Sequence, residues 1–173
     1  MIVSAWQRRH FGIKNLCNRQ NYALAIAQWR DDEVPVISVP SGNFGNICAG
    51  LVAWKSGLPV THFIAACNAN NAFTDYMHSG IFHSKPSIPT LSNAMDVGTP
   101  SNFIRILELF QNEFQNIKSI ISSSSISDNE TLNTIQRVYA EFGYLLDPHS
   151  AVAYASLDDY LKKWTGKKGI VLG

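Results

Sequence analysis

Charge is scarce in this sequence. Asp, Glu, Lys and Arg make up 16% of its 173 residues, against about 25% in typical soluble domains. The deficit points to faces covered by a partner subunit or by further chain. Lys and Arg number 14 and Asp and Glu 13, for a formal net charge of +1. The basic excess of a nucleic-acid binder is missing. No apolar run reaches the ~18 residues that a membrane span needs. Cysteines are few: Cys17, Cys48 and Cys67. None makes a Cys-x-x-Cys pair, which leaves no visible zinc knuckle or redox motif. Free, mostly buried thiols in a reducing compartment are expected. With no signal peptide in view, the expected location is the cytoplasm. No internal repeat is present. What is there is apolar: a 46% hydrophobic fraction suffices for a core and argues against disorder. The length fits one ordinary domain or part of a larger one.

The first thirty positions carry Arg8, Arg9, Lys14, Arg19 and Arg30, with no acid before Asp31. That bias resembles a transit peptide; a divergent terminus over residues 1–21, ahead of a domain over 22–173, is the reading adopted. Tyr22, Ala23, Ile26, Ala27 and Trp29 predict a helix ending at the charged turn Arg30–Glu33. Val34–Pro40 reads as a buried parallel strand. Asn46–Lys55 reads as a helix with Gly57 and Pro59 as stop signals, and Val60–Ala66 as a second strand. Together they form a βαβ unit, whose strands should lie parallel in one sheet. Residues 68–102 are loop-rich. Ser101 is placed to cap a helix with the apolar face Phe103, Ile106, Leu107 and Phe110. Ser122–Ser125 reads as a loop between two helices. Ser127 and Glu130 form a capping box that opens a helix toward Phe142, closed by Gly143. His149–Lys163 predicts another helix and Gly169–Gly173 a strand. The fold class expected is α/β: a partial parallel sheet of about three strands, below the usual four to six, flanked by helices.

Ser41-Gly42-Asn43-Phe44-Gly45-Asn46 is the chemical centre. It lies where a buried strand turns into a helix. A helix N-terminus offers unpaired N–H groups and the positive end of the dipole, and glycines let the backbone approach an anion closely. The hydroxyl of Ser41 and the amides of Asn43 and Asn46 add donors. The result is a cradle for phosphate or carboxylate at the carboxyl end of a parallel sheet. A Walker loop is excluded because no lysine follows. A dinucleotide fingerprint is disfavoured, since the loop is Gly-x-x-Gly and the second strand runs into Cys67–Asn71 without an acid. A compact monophosphate fits better, pyridoxal phosphate being the common cofactor of that size. A strand-to-helix turn that binds nothing is the plain alternative.

At this loop the sequence resembles the threonine synthase family. The resemblance is carried by Val39–Asn46, Ala49-Gly50-Leu51, Gly57-Leu58-Pro59 and Phe63–Ala66. It continues in Lys85-Pro86-Ser87, Thr90–Gly98, Pro100–Phe103, Gly143-Tyr144-Leu145 and Asp147-Pro148-His149. It implies the tryptophan-synthase-β-like fold (type II) of pyridoxal-phosphate enzymes. It implies a carbon–oxygen lyase of threonine biosynthesis that converts O-phosphohomoserine and water to threonine and phosphate. The cofactor would act as electron sink, its phosphate held by Ser41, Gly42, Asn43, Phe44, Gly45 and Asn46. The departures matter as much. The family's Schiff-base lysine lies in a Phe-Lys-Asp motif upstream of the glycine loop, and Lys14, the sole lysine there, does not match. The family's Asn-Ser-x-Asn stretch is unmatched before Tyr22, and its Thr-Ala-His-Pro motif lies beyond Gly173. The resemblance therefore implies a C-terminal cofactor-domain portion with no catalytic residue of its own. Such a chain is expected to be inactive without an N-terminal half or a partner chain. The alternatives are a non-catalytic module that binds a phosphate ligand or pairs with another chain, and another enzyme of the same cofactor fold.

Other candidates are weaker. His78 and His83 do not share a helical face and read as loop residues, so no metal site is assigned. The flanks of Ser41 do not match Gly-x-Ser-x-Gly, so it reads as a cradle donor and not a nucleophile. Asp147-Pro148-His149-Ser150 reads as a capped helix start, and the family fold would place it near the cofactor. Asn93 and Asp96 are candidates to face substrate, without an assigned role. Trp6, Trp29, Trp54 and Trp164 form no stacking platform and read as core or interface.

Overall fold

The computed structural model describes residues 2–3 and 14–173, with side chains from residue 19 onward. Most of the divergent segment, including Trp6, lies outside the described residues. Five strands form one sheet in the order β1-β5-β2-β3-β4. They are β1 (Ile2–Val3), β2 (Val36–Pro40), β3 (His62–Cys67), β4 (Ile121–Ser125) and β5 (Gly169–Leu172). Every pairing is parallel. The helices are α1 (Lys14–Gln28), α2 (Gly45–Lys55), α3 (Ala72–Ser79), α4 (Phe103–Leu109), α5 (Phe114–Ile120), α6 (Asp128–Phe142) and α7 (Pro148–Lys163). α1 runs without a break across the expected boundary at residue 22.

The expected βαβ unit is β2–α2–β3, paired from Val36 opposite His62 to Pro40 opposite Ala66. Its β-branched run is buried on both faces, as a central parallel strand requires. On one face Ile37, Val39, Phe63, Ala65, Ile170 and Leu172 pack under Tyr22 of α1 and under Ile47 and Leu51 of α2. On the other, Val36, Ile64, Ala66 and Val171 meet Val152, Ala153 and Leu157 of α7. The single polar residue inside β2, Ser38, is satisfied by donating from Oγ to the Ala153 carbonyl at 2.8 Å. The helices leaving β2 and entering β5 thus lie on opposite faces. That is a topological switch point, and it opens a crevice at the carboxyl ends of these two strands.

Ser122–Ser125 corrects the sequence reading. The serines form most of the edge strand β4, in register from Ile121 opposite Phe63 to Ser125 opposite Cys67. A polar strand suits a sheet edge, and here each hydroxyl has a partner. Ser122 Oγ meets His62 Nε2 at 2.9 Å. Ser123 donates to the Ala65 carbonyl at 2.8 Å, Ser124 to Ser156 Oγ at 2.7 Å and Ser125 to the Asn68 carbonyl at 2.9 Å. A second correction concerns α4. Its N-cap is Asn102, with no side-chain cap bond, while Ser101 donates elsewhere. The α6 capping box forms as expected, with Gly143 left-handed at its end.

Candidate functional site

The glycine loop sits at the mouth of the switch-point crevice. β2 ends at Pro40, and Ser41 N–H extends the ladder once more by donating to the Ala66 carbonyl at 2.8 Å. The chain then turns through Phe44, whose φ of 61° is left-handed, into α2. A left-handed backbone is costly for a residue with a side chain. It is offset here by burial: Phe44 is 3% exposed, and its ring lies 4.7 Å from that of Phe73. The ring therefore anchors the turn while the backbone faces the crevice. Among the described residues, the N–H groups of Gly42 through Ile47 have no acceptor, and the first turn of α2 carries neither an acid nor a side-chain cap. Free N–H groups at the positive end of a helix are the chemistry that can receive an anion.

The side chains of the motif divide. Asn46 Nδ2 reaches the Leu172 carbonyl at the end of β5 at 3.5 Å. Its Oδ1 is buried without a donor among the described residues. Asn43 is mostly structural: its Oδ1 accepts from Ser101 N–H at 2.6 Å and Ser101 Oγ at 2.9 Å, and its carbonyl accepts from Asn102 at 2.8 Å. Ser41, expected as a cradle donor, is buried, and its hydroxyl is turned back onto the Val39 carbonyl at 2.8 Å.

Two further segments close on the loop. A Cβ on Gly42 would lie 2.6 Å from Met95 Cα. Only glycine lets the short helix Asn93–Met95 approach so closely. From the other side, Asp147 caps α7, accepting from His149 N–H at 2.9 Å and Ser150 N–H at 3.1 Å. Burial acts to raise the Asp147 carboxyl, but the Ser150 and His149 hydrogen bonds outweigh it and hold it below its ordinary value. His149 Nδ1 faces Asp147, and Nε2 accepts from Ala94 N–H at 3.3 Å. Ser150 Oγ comes within 2.9 Å of where a Cβ on Gly173 would stand. The structure thus brings Ser41–Asn46, Asn93–Met95, the start of α7 and the end of β5 to one place.

It does not turn Asp96 outward. Its carboxylate faces Asn68, Asn70 and Thr90, all within 3.1 Å, while Asn93 is exposed. His78 is exposed in the last turn of α3 rather than in a loop, and His83 is exposed beyond it. Trp164, expected as core or interface, is 59% exposed. Sequence reading missed Asn68, Asn70 and Thr90 as parts of the site's support. The signal was a run of amides directly after a buried strand.

The donor set fits a compact monophosphate: unpaired N–H groups on a helix terminus, two glycines and no side-chain anion in the loop. A family model described as pyridoxal-phosphate dependent enzyme matches residues 11–172. The chain is similar to threonine synthase of Serratia marcescens, 45% identical over 138 residues, which cover 80% of this chain and 31% of that protein. The crystal structure of threonine synthase from Escherichia coli superposes with a TM-score of 0.85 at 40% identity, covering 92% of this chain and 37% of that one. Pyridoxal-phosphate-bound threonine synthase from Brucella melitensis gives a TM-score of 0.84 at 27% identity, covering 97% and 41%. The chain spans about a third of the length of the curated relatives it matches. A parallel sheet with a glycine loop of free N–H groups at its switch point, matched by one family model over residues 11–172, places this chain in the family of pyridoxal-phosphate dependent enzymes.

Proposed function

We propose that residues 22–173 form the part of a threonine synthase that holds the cofactor phosphate, and that Gly42–Ile47 are its cradle. The observation that carries the reading is the row of unpaired N–H groups from Gly42 to Ile47 at the positive end of α2. When bound, pyridoxal phosphate supplies the electron sink for charge developing on substrate carbons. This chain's residues bind and orient it. Gly42, Asn43, Phe44, Gly45 and Asn46 present backbone N–H groups to the phosphate. Phe44 and Asn43 fix the loop from behind, through Phe73 and Ser101. Asn46 Oδ1 offers a buried acceptor beside the end of β5. Ser41 holds the turn through Val39 and serves the phosphate only if its hydroxyl rotates.

The reaction proposed for the whole enzyme is the one the resemblance implies, O-phosphohomoserine and water to threonine and phosphate, and the relatives named threonine synthase support it. No Phe-Lys-Asp string occurs in these 173 residues, so the covalent lysine is assigned to another segment or a partner chain. Cys48 and Cys67 are buried free thiols, consistent with the reducing compartment proposed for this chain. Among the described residues no helix is long and apolar enough to cross a membrane.

The test is a phosphate-release assay on O-phosphohomoserine, with borohydride reduction in the presence of pyridoxal phosphate. The chain alone should release no phosphate, and the cofactor should become fixed to no single lysine. Adding a chain that bears the Phe-Lys-Asp motif should restore turnover. Stoichiometric labelling of one lysine with threonine formation by this chain alone would overturn the assignment.

A further inference from the structure

The carboxylate of Asp96 gathers more hydrogen bonds than its place in an irregular segment requires. Oδ1 accepts from Thr90 Oγ1 at 2.7 Å, Asn68 Nδ2 at 2.8 Å and Asn70 Nδ2 at 3.1 Å. Oδ2 accepts from Thr90 N–H at 2.9 Å. Asn68 directly follows β3 and is 1% exposed. It also donates to Ser92 Oγ at 3.0 Å. Asn70 brackets Ile88, accepting from its N–H at 2.8 Å and donating to its carbonyl at 2.9 Å. The segment from Ile88 to Asp96 is therefore laced to the end of β3. Gly98 completes the fastening, because the Lys85 carbonyl occupies the space a Cβ would need. The residue immediately before Asp96 is Met95, whose backbone presses on Gly42.

We propose that Asp96 is a positioning residue for the phosphate cradle. Its carboxylate fixes the Asn93–Met95 turn against Gly42, and the turn in its place holds the Gly42–Ile47 N–H groups aimed at the crevice. Asp96 itself touches no ligand. The inference rests on reading the loop as a phosphate cradle. The choice of a carboxylate follows from donor arithmetic. Four donors converge on its two oxygens, and an amide would set its own N–H₂ against at least one of them.

The experiment is a titration of the 173-residue chain with pyridoxal phosphate. It is followed by the ³¹P resonance of the bound phosphate, for wild type, Asp96→Asn, Thr90→Val and the surface control Asp159→Asn. Asp96→Asn should weaken binding about tenfold, as for one charge-assisted hydrogen bond lost, and should move the bound ³¹P resonance. Thr90→Val, which keeps the carboxylate, should do the same to a smaller degree and carries the test if Asp96→Asn fails to fold. Asp159→Asn should match the wild type. A folded Asp96→Asn or Thr90→Val chain with wild-type affinity and resonance would overturn the inference alone. Absence of binding by the wild type would instead sink the cradle reading and this inference with it.

Discussion

Gly42 and Met95 are in backbone contact, with 2.6 Å between the Cα of Met95 and the point where a Gly42 Cβ would stand. The contact joins the two strings that make this sequence recognisable, one at the end of β2 and one in the segment after α3. Gly42→Ala forces backbone against backbone, which flexible side chains cannot absorb. The cost should be about 1–3 kcal/mol, as for overpacking, read as a lower urea midpoint. Pyridoxal phosphate affinity should fall with it, because the turn and the loop cannot both keep their places.

Phe44 tests the anchor of the same loop. Truncating a buried aromatic ring costs about 3–5 kcal/mol, and Phe44→Ala should fall in that range by denaturant unfolding. Phe44→Leu keeps apolar volume and should lose less. Both should leave the α6 capping box intact, since Ser127 and Glu130 bond only within their own turn. Ser127→Ala should cost about 1 kcal/mol and leave pyridoxal phosphate binding unchanged.

Much of this was legible from residue order. β2, α2, β3 and β5 announce themselves through β-branched runs and Gly/Pro stops, and the capping box through Ser127 and Glu130. The glycine-rich strand-to-helix turn was legible as a candidate cradle, with a turn that binds nothing as its alternative, whereas the packing of Gly42 against Met95 was not legible. β4 was not. Four serines look like a loop until the hydroxyl partners Ala65, Ser156, Asn68 and His62 are known, and those partners come from distant segments. The inward turn of Asp96 was hidden for the same reason. Its four donors come from Asn68, Asn70 and Thr90, and nothing in local periodicity places them around one carboxylate.

His62 sets a pH dependence. Burial beside Tyr160 and Ser122 pushes its imidazole down from 6.5 to about 4. The unfolded chain therefore binds the proton more readily than the folded one. Stability should be full above about pH 6.5 and fall as the pH drops toward 4, by about 3 kcal/mol for this group. Urea midpoints measured across that range should follow this slope. His62→Gln, which keeps a hydrogen-bonding group toward Ser122, should flatten it.

The thiols of Cys48 and Cys67 should be inert in the folded chain. Burial raises Cys67 and pushes Cys48 up to about 12, so neither offers thiolate at neutral pH. Peptide mapping after iodoacetamide should find both unmodified under native conditions and both modified in denaturant.

The central claim is that Gly42–Ile47 receive a phosphate, and amide NMR addresses it residue by residue. Titration of the ¹⁵N-labelled chain with pyridoxal phosphate should shift the Gly42–Ile47 N–H resonances in a saturable way, and pyridoxal without its phosphate should leave them in place. Equal shifts with both compounds, or shifts confined to residues outside the loop, would contradict it.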